Sequence, residues 1–163
     1  MLKKILILYL FLIQVSCASV QLGAKFTSDA APPKNGEALV YILRPDNKYN
    51  SVISPGVVLD DKEIFLLANE GYSYVYLKEG EHNLGIKLSD SYKGNKSLRF
   101  SVKNKDVLYY VMKTEYLVGP EKYYRKFWFE KAPYDVGKKL IKDCYYIDPK
   151  TSPKFQNNIL LDN

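Results

Sequence analysis

Tyr72-Ser-Tyr-Val-Tyr-Leu77 alternates aromatic and other residues with a period of two. In an extended strand that period places Tyr72, Tyr74 and Tyr76 on one face and Val75 with Leu77 on the other. With Val75 and Leu77 on the core side, the three phenols form an exposed stripe, and rings with polar tips suit sugar, peptide or protein partners. The bland reading is a rim of half-buried tyrosines covered by the C-terminal tail or helix. Working outward, short runs rich in Val, Ile, Leu and Tyr recur between turn residues. They predict strands near Ala38–Arg44, Gly56–Leu59, Glu63–Leu67, Tyr72–Leu77, His82–Leu88, Ser97–Lys103, Val107–Glu115 and Tyr123–Glu130. Asp60 with Asp61, Glu70 with Gly71, the residues around Gly80, Gly94 with Asn95, and Asn104 to Asp106 supply the reversals. The fold class is therefore all-β, an antiparallel sandwich of about eight strands, immunoglobulin-like or transthyretin-like.

After Pro133, Val136, Leu140, Ile141 and Cys144 fall on one face of a helix and Lys138, Lys139 and Lys142 on the other. One C-terminal helix of about three turns, from Pro133 to Cys144, is expected to cap the sandwich, although Gly137 inside it costs ~1 kcal/mol relative to alanine. Tyr123, Tyr124, Phe127, Trp128 and Phe129, interleaved with Arg125 and Lys126, read as core packing with one charged face.

The chain of 163 residues opens with Lys3 and Lys4, an apolar run from Ile5 to Ile13, then Val15, Ser16 and Cys17. A positive start, a short apolar core and small residues at a cut site describe a secretory signal, while a spanning helix needs about 20 apolar residues. Val15-Ser16-Cys17 resembles the bacterial lipobox, in which the cysteine receives the lipid and becomes the mature N-terminus; Gln14 stands where leucine is usual. Ordinary cleavage after Ala18 is the alternative. Ala18 is not the aspartate associated with inner-membrane retention, so the resemblance implies the outer membrane, facing the periplasm. Removing residues 1–16 leaves 147 residues, enough for one domain, and lowers the net charge from +6 to +4. Residues 17–36 turn to Ala, Ser, Pro, Gly and Lys and are expected to be a flexible tether with an end-to-end distance of about 25 Å. Residues 37–147 form the domain and 148–163 a loose tail.

Several functions are disfavoured by what the chain lacks. Its lysines are scattered among acids, with no basic block, which argues against a nucleic-acid partner. Nucleophile-and-base catalysis needs a base near a serine or cysteine, and the chain has 1 histidine, His82, at a turn, where a hydrogen-bonding corner role is commoner than a catalytic one. Ser51, Ser54 and Ser73 have no motif around them, so no enzyme is expected. Asp60, Asp61 and Glu63 cluster, yet without a glycine-centred calcium loop or zinc-ligand spacing they read as a solvated turn. No phosphate-binding or dinucleotide motif is present, and no cofactor or metal is expected. Cys144 reads as a small buried apolar residue, a disulfide to Cys17 being the alternative if Cys17 carries no lipid.

Cys17-Ala-Ser-Val20, Ala38-Leu-Val-Tyr-Ile-Leu-Arg-Pro45, Val58-Leu-Asp-Asp-Lys62, Leu77-Lys-Glu-Gly-Glu-His-Asn-Leu84 and Tyr109-Tyr-Val111 together resemble a family of small bacterial lipoproteins catalogued as domain of unknown function 2846. The hairpin portion is similar to transthyretin-like and PEGA-type β-sandwich modules, with Asp61 where glycine is usual and Lys78-Glu79 where proline is usual. The resemblance implies a fold and a lipid-anchored place in the cell envelope, and it transfers no catalytic or binding residues. The functional expectation is a structural or protein-interaction module held to the membrane by its N-terminal lipid, with an envelope protein or cell-wall polymer as partner. The alternative is a carbohydrate- or peptidoglycan-binding domain using Tyr72, Tyr74 and Tyr76.

Overall fold

The computed structural model describes residues 20–48, 51–88, 97–118 and 123–151. The signal sequence, Cys17 and the tail from residue 152 onward lie outside these residues, as does the turn expected at Gly94 and Asn95.

The described residues form two open sheets packed as a sandwich, with one short α-helix between the last two strands. The strands are β1 (Glu37–Arg44), β2 (Gly56–Leu59), β3 (Lys62–Leu66), β4 (Gly71–Lys78), β5 (Gly80–Lys87), β6 (Leu98–Val102), β7 (Val107–Val118), β8 (Tyr123–Ala132) and β9 (Tyr145–Tyr146). One sheet has the order β8-β7-β1-β4-β9 and the other β3-β2-β5-β6. All eight expected strands are present. A ninth, β9, has only two residues and so carries no periodicity in the sequence.

Of the strands consecutive in sequence, β2–β3, β5–β6 and β7–β8 pair antiparallel, whereas the short links β3–β4, β4–β5 and β6–β7 pass from one sheet to the other. The β2–β3 link is the two-residue turn Asp60-Asp61, both with positive φ (47° and 67°), the conformation whose twist suits a tight hairpin. Two further pairings are parallel, β1 with β7 and β4 with β9, so the larger sheet is mixed. Long-range pairings of this kind leave no local signature in the sequence.

Between the sheets lies one core, built from alternate residues of facing strands: Ala38, Val40 and Ile42 of β1 meet Val57, Phe65, Leu84, Ile86, Phe100 and Phe127, among others. The opposite face of β1 is buried as well. Leu39, Tyr41 and Leu43 pack with Tyr72, Tyr109, Val111, Ile141 and Cys144 in a second apolar layer outside the five-stranded sheet. Burial on both faces explains why Ala38–Leu43 is continuously apolar instead of alternating.

The helix α1 spans Tyr134–Leu140 and continues as a 3-10 turn over Ile141–Asp143. Ile141 and Cys144 are buried as expected, but Val136 is 47% exposed, because the face turned to the sheet is centred on Gly137. A Cβ at Gly137 would lie 2.3 Å from Cγ and 2.4 Å from Cβ of Tyr109, atoms near the root of a side chain fixed in β7. The glycine that weakens the helix intrinsically is thus what lets it sit on the ring. Cys144 is a buried free thiol that touches the Leu140 carbonyl, and burial pushes its pKa up to about 12, so it packs as an inert apolar residue.

The largest departure from expectation concerns the segment before β1. Residues 20–36 were expected to trail as a tether, yet they are strapped to the five-stranded sheet. Gly23 N–H donates to the Tyr146 carbonyl (2.7 Å), Tyr146 N–H to Ala24 (2.9 Å) and Phe26 N–H to Cys144 (2.9 Å). The strap therefore adds to the β9 edge, with Lys25 bridging Tyr145. Val20 packs against the inter-sheet core, and Phe26 meets the Tyr72 ring edge-on at 5.5 Å. Composition misread this stretch because main-chain hydrogen bonds, which small and polar residues make as readily as apolar ones, hold much of it.

Candidate functional site

The alternation read in β4 is present: Ser73, Val75 and Leu77 turn to the core side, and Tyr72, Tyr74 and Tyr76 to the outer face. The outer face is not an open stripe. Tyr72 is 7% exposed, Tyr74 is half-buried and Tyr76 is 39% exposed. Among the described residues the cover comes from the N-terminal strap and Tyr146 of β9, not from the helix; the tail from residue 152 onward lies outside them.

Ring contacts tie the three together with neighbours. Tyr74 stacks on Tyr146 (5.8 Å between centroids, 30° between planes) and meets the edges of Tyr41 and Tyr76, while Tyr72 tilts against Tyr146 at 5.5 Å. Two hydroxyls hold the strap: Tyr41 Oη accepts from Ala30 N–H (2.7 Å) and Tyr76 O–H donates to the Ala31 carbonyl (2.8 Å). Burial raises the pKa of Tyr72, Tyr76 and Tyr146, the last to about 12, so these phenols remain neutral donors at physiological pH. Between strap and sheet there remains a cleft of about 260 Å³ lined by Tyr41, Tyr72, Tyr74 and Tyr146, with Lys25, Thr27, Ser28 and Asp29 among the strap residues. Asp29 is also engaged by Lys138 of α1 at 3.0 Å, which fastens strap to helix.

His82 occupies a corner built by two turns. Its Nδ1 lies 2.7 Å from Asp60 Oδ2 and its Nε2 2.9 Å from the Lys78 carbonyl, while Asp60 Oδ1 accepts Asn83 N–H at 2.8 Å. Two acceptors facing the two ring nitrogens require two N–H donors, which is the imidazolium form. Partial burial opposes that charge, but the Asp60 carboxylate and the Lys78 carbonyl outweigh it and raise the His82 pKa. For Asp60, burial is likewise outweighed by His82 and the Asn83 amide, and its pKa is lowered. In that form both ring nitrogens are occupied as donors, and the corner ties the β2–β3 turn to β5.

A histidine with a raised folded-state pKa stabilises the fold below its unfolded value and loses that contribution as pH rises through the folded value. An aspartate with a lowered pKa does so above its unfolded value and loses it as pH falls. The stability difference between the wild type and His82→Gln is therefore expected to be greatest between about pH 4 and 6.5 and to shrink towards pH 9. Urea unfolding across that range measures it; a difference that grows with pH would contradict the ion pair.

Asp60, Asp61 and Glu63 do not converge on one point: Asp60 is taken by His82, and Glu63 Oε2 lies 3.2 Å from Lys87 Nζ. Among the described residues, no group of three or more His, Cys, Asp or Glu side chains is arranged to hold a metal ion. Phe127 and Phe129 are core residues, as expected of the second aromatic cluster, and Trp128 is half-buried with Lys126 Nζ 5.2 Å from its ring centre.

Sequence reasoning missed Arg44, which is 0% exposed inside the sandwich. Its Nη1 donates to the carbonyls of Ile53 and Leu67 (3.1 Å to the latter), and its guanidinium lies 5.8 Å from the Phe127 ring centre. The signal was available, since Ala38, Val40, Ile42 and Arg44 share one parity and a strand sends them to one face.

No protein-family model matches the chain, and comparison with curated proteins gives no match. Among the described residues no helix is long and apolar enough to cross a membrane.

Proposed function

We propose that this protein is a bacterial lipoprotein of the cell envelope, anchored through Cys17 in the outer membrane and facing the periplasm, whose β-sandwich is a structural or protein-interaction module. The observation that carries the reading is the run Lys3-Lys4, Ile5–Ile13, Val15-Ser16-Cys17, in which charge, apolar length and small residues stand in the order an exported and lipidated N-terminus needs. Burial of the two or three acyl chains of such a lipoprotein, at about 0.8 kcal/mol per methylene, makes attachment effectively permanent. The sandwich itself supports a binding or scaffolding role, because His82, Asp60 and Glu63 are spent on holding strands together.

Cys17→Ser is expected to move the protein out of the membrane fraction and to abolish labelling by a fatty-acid analogue. Equal labelling of both proteins would overturn the anchor.

A further inference from the structure

We infer that the sandwich edge formed by residues 20–25 and 145–151 rests against the lipid headgroups, with the exposed Leu22 at the contact. The inference rests on Cys17 being the lipid-bearing residue. The docked chain begins at Val20, which packs against the inter-sheet core, and Gly23, Ala24 and Phe26 are fixed to β9 and Cys144 by main-chain hydrogen bonds. Only three peptide steps separate Cys17 from Val20. Fully extended they span about 10 Å. The headgroup region is about 5–8 Å deep per leaflet, taken as half the difference between total and hydrocarbon thickness. A lipid held in the leaflet therefore leaves the domain no room to stand off, and the element nearest the anchor has to meet the surface.

That element is suited to the contact. Leu22, 43% exposed, is a large apolar side chain with no place in either core cluster, five residues after the anchor. Charge does not select the surface: Lys25, Lys142 and Lys150 are balanced by Glu70, Asp143 and Asp148, and Lys25 lies 3.5 Å from Asp143. The occupant is thus a lipid surface reached through the anchor and an apolar side chain, and the orientation is expected to persist in high salt. At the other side of the same sheet, β8 is four strand spacings from β9, about 19 Å away.

The test uses the full-length lipidated chain carrying a fluorophore at Gln21→Cys or at Lys131→Cys, both exposed positions, the second on β8. Buried Cys144 stays unlabelled. In vesicles of phosphatidylethanolamine and phosphatidylglycerol containing a headgroup-nitroxide lipid, the label at position 21 is expected to be quenched several-fold more than the label at 131, in low and high salt alike. Equal, weak quenching at both positions on protein that floats with the vesicles would overturn the orientation and leave the anchor standing. Protein that does not float with the vesicles would overturn the anchor and the orientation together.

Discussion

Replacing Tyr72, Tyr74 and Tyr76 together by serine is expected to cost the domain most of its stability. Tyr72 is 7% exposed and packs on Phe26 and Tyr146, and truncating a buried aromatic of this kind costs about 3–5 kcal/mol. Tyr74 is half-buried at the centre of the ring cluster and adds part of that cost, bringing the sum to about 5–8 kcal/mol against a native stability of about 5–15 kcal/mol. Tyr76→Ser alone loses one exposed hydrogen bond and the edge contact with Tyr74, together worth about 1–3 kcal/mol, and is expected still to unfold cooperatively at a moderately lower temperature. A triple variant as stable as the wild type would contradict the packed cluster. Loss of partner binding in that variant therefore cannot be assigned to the tyrosines as a recognition surface, whereas the same loss in Tyr76→Ser can.

The second large effect is expected at Arg44. Arg44→Met keeps much of the apolar stem but removes the donors to the Ile53 and Leu67 carbonyls. A buried acceptor left without its donor costs about 1–3 kcal/mol, so the variant is expected to lose about 3–5 kcal/mol once the contact with Phe127 is included. Arg44→Lys retains the charge with a smaller, differently shaped donor group and should fall between the two. Urea denaturation reads this as a lower midpoint at unchanged slope; wild-type stability in Arg44→Met would show that these carbonyls do not depend on the guanidinium.

What was legible in the sequence follows from where the physics is local. Strand positions were readable because apolar residues recur on a short period and because Asp60-Asp61, Glu70 and Gly80 mark reversals with backbone angles typical of turns. The face of β4 was readable, but its exposure was not, since exposure depends on what else the chain lays over it. β9 and the strap are held by hydrogen bonds from Gly23 and Phe26 N–H to the Tyr146 and Cys144 carbonyls and from Tyr146 N–H to the Ala24 carbonyl, partners far apart in sequence and unremarkable in composition. The helix was placed correctly, with Ile141 and Cys144 on its buried face, but Val136 was not: the deciding contact is between Gly137 and Tyr109 of a distant strand. Arg44 was overlooked because a charged residue at a strand end is ordinarily solvent-facing.

The segment before β1 belongs to the folded body and is not a free tether, and both the covered tyrosines and the membrane contact depend on that. Amide hydrogen exchange tests it directly. The N–H groups of Gly23, Phe26 and Ala30, bonded to the Tyr146 carbonyl, the Cys144 carbonyl and the Tyr41 hydroxyl, are expected to exchange far more slowly than in a free peptide. Exchange of all three at free-peptide rates in the folded protein would contradict the account.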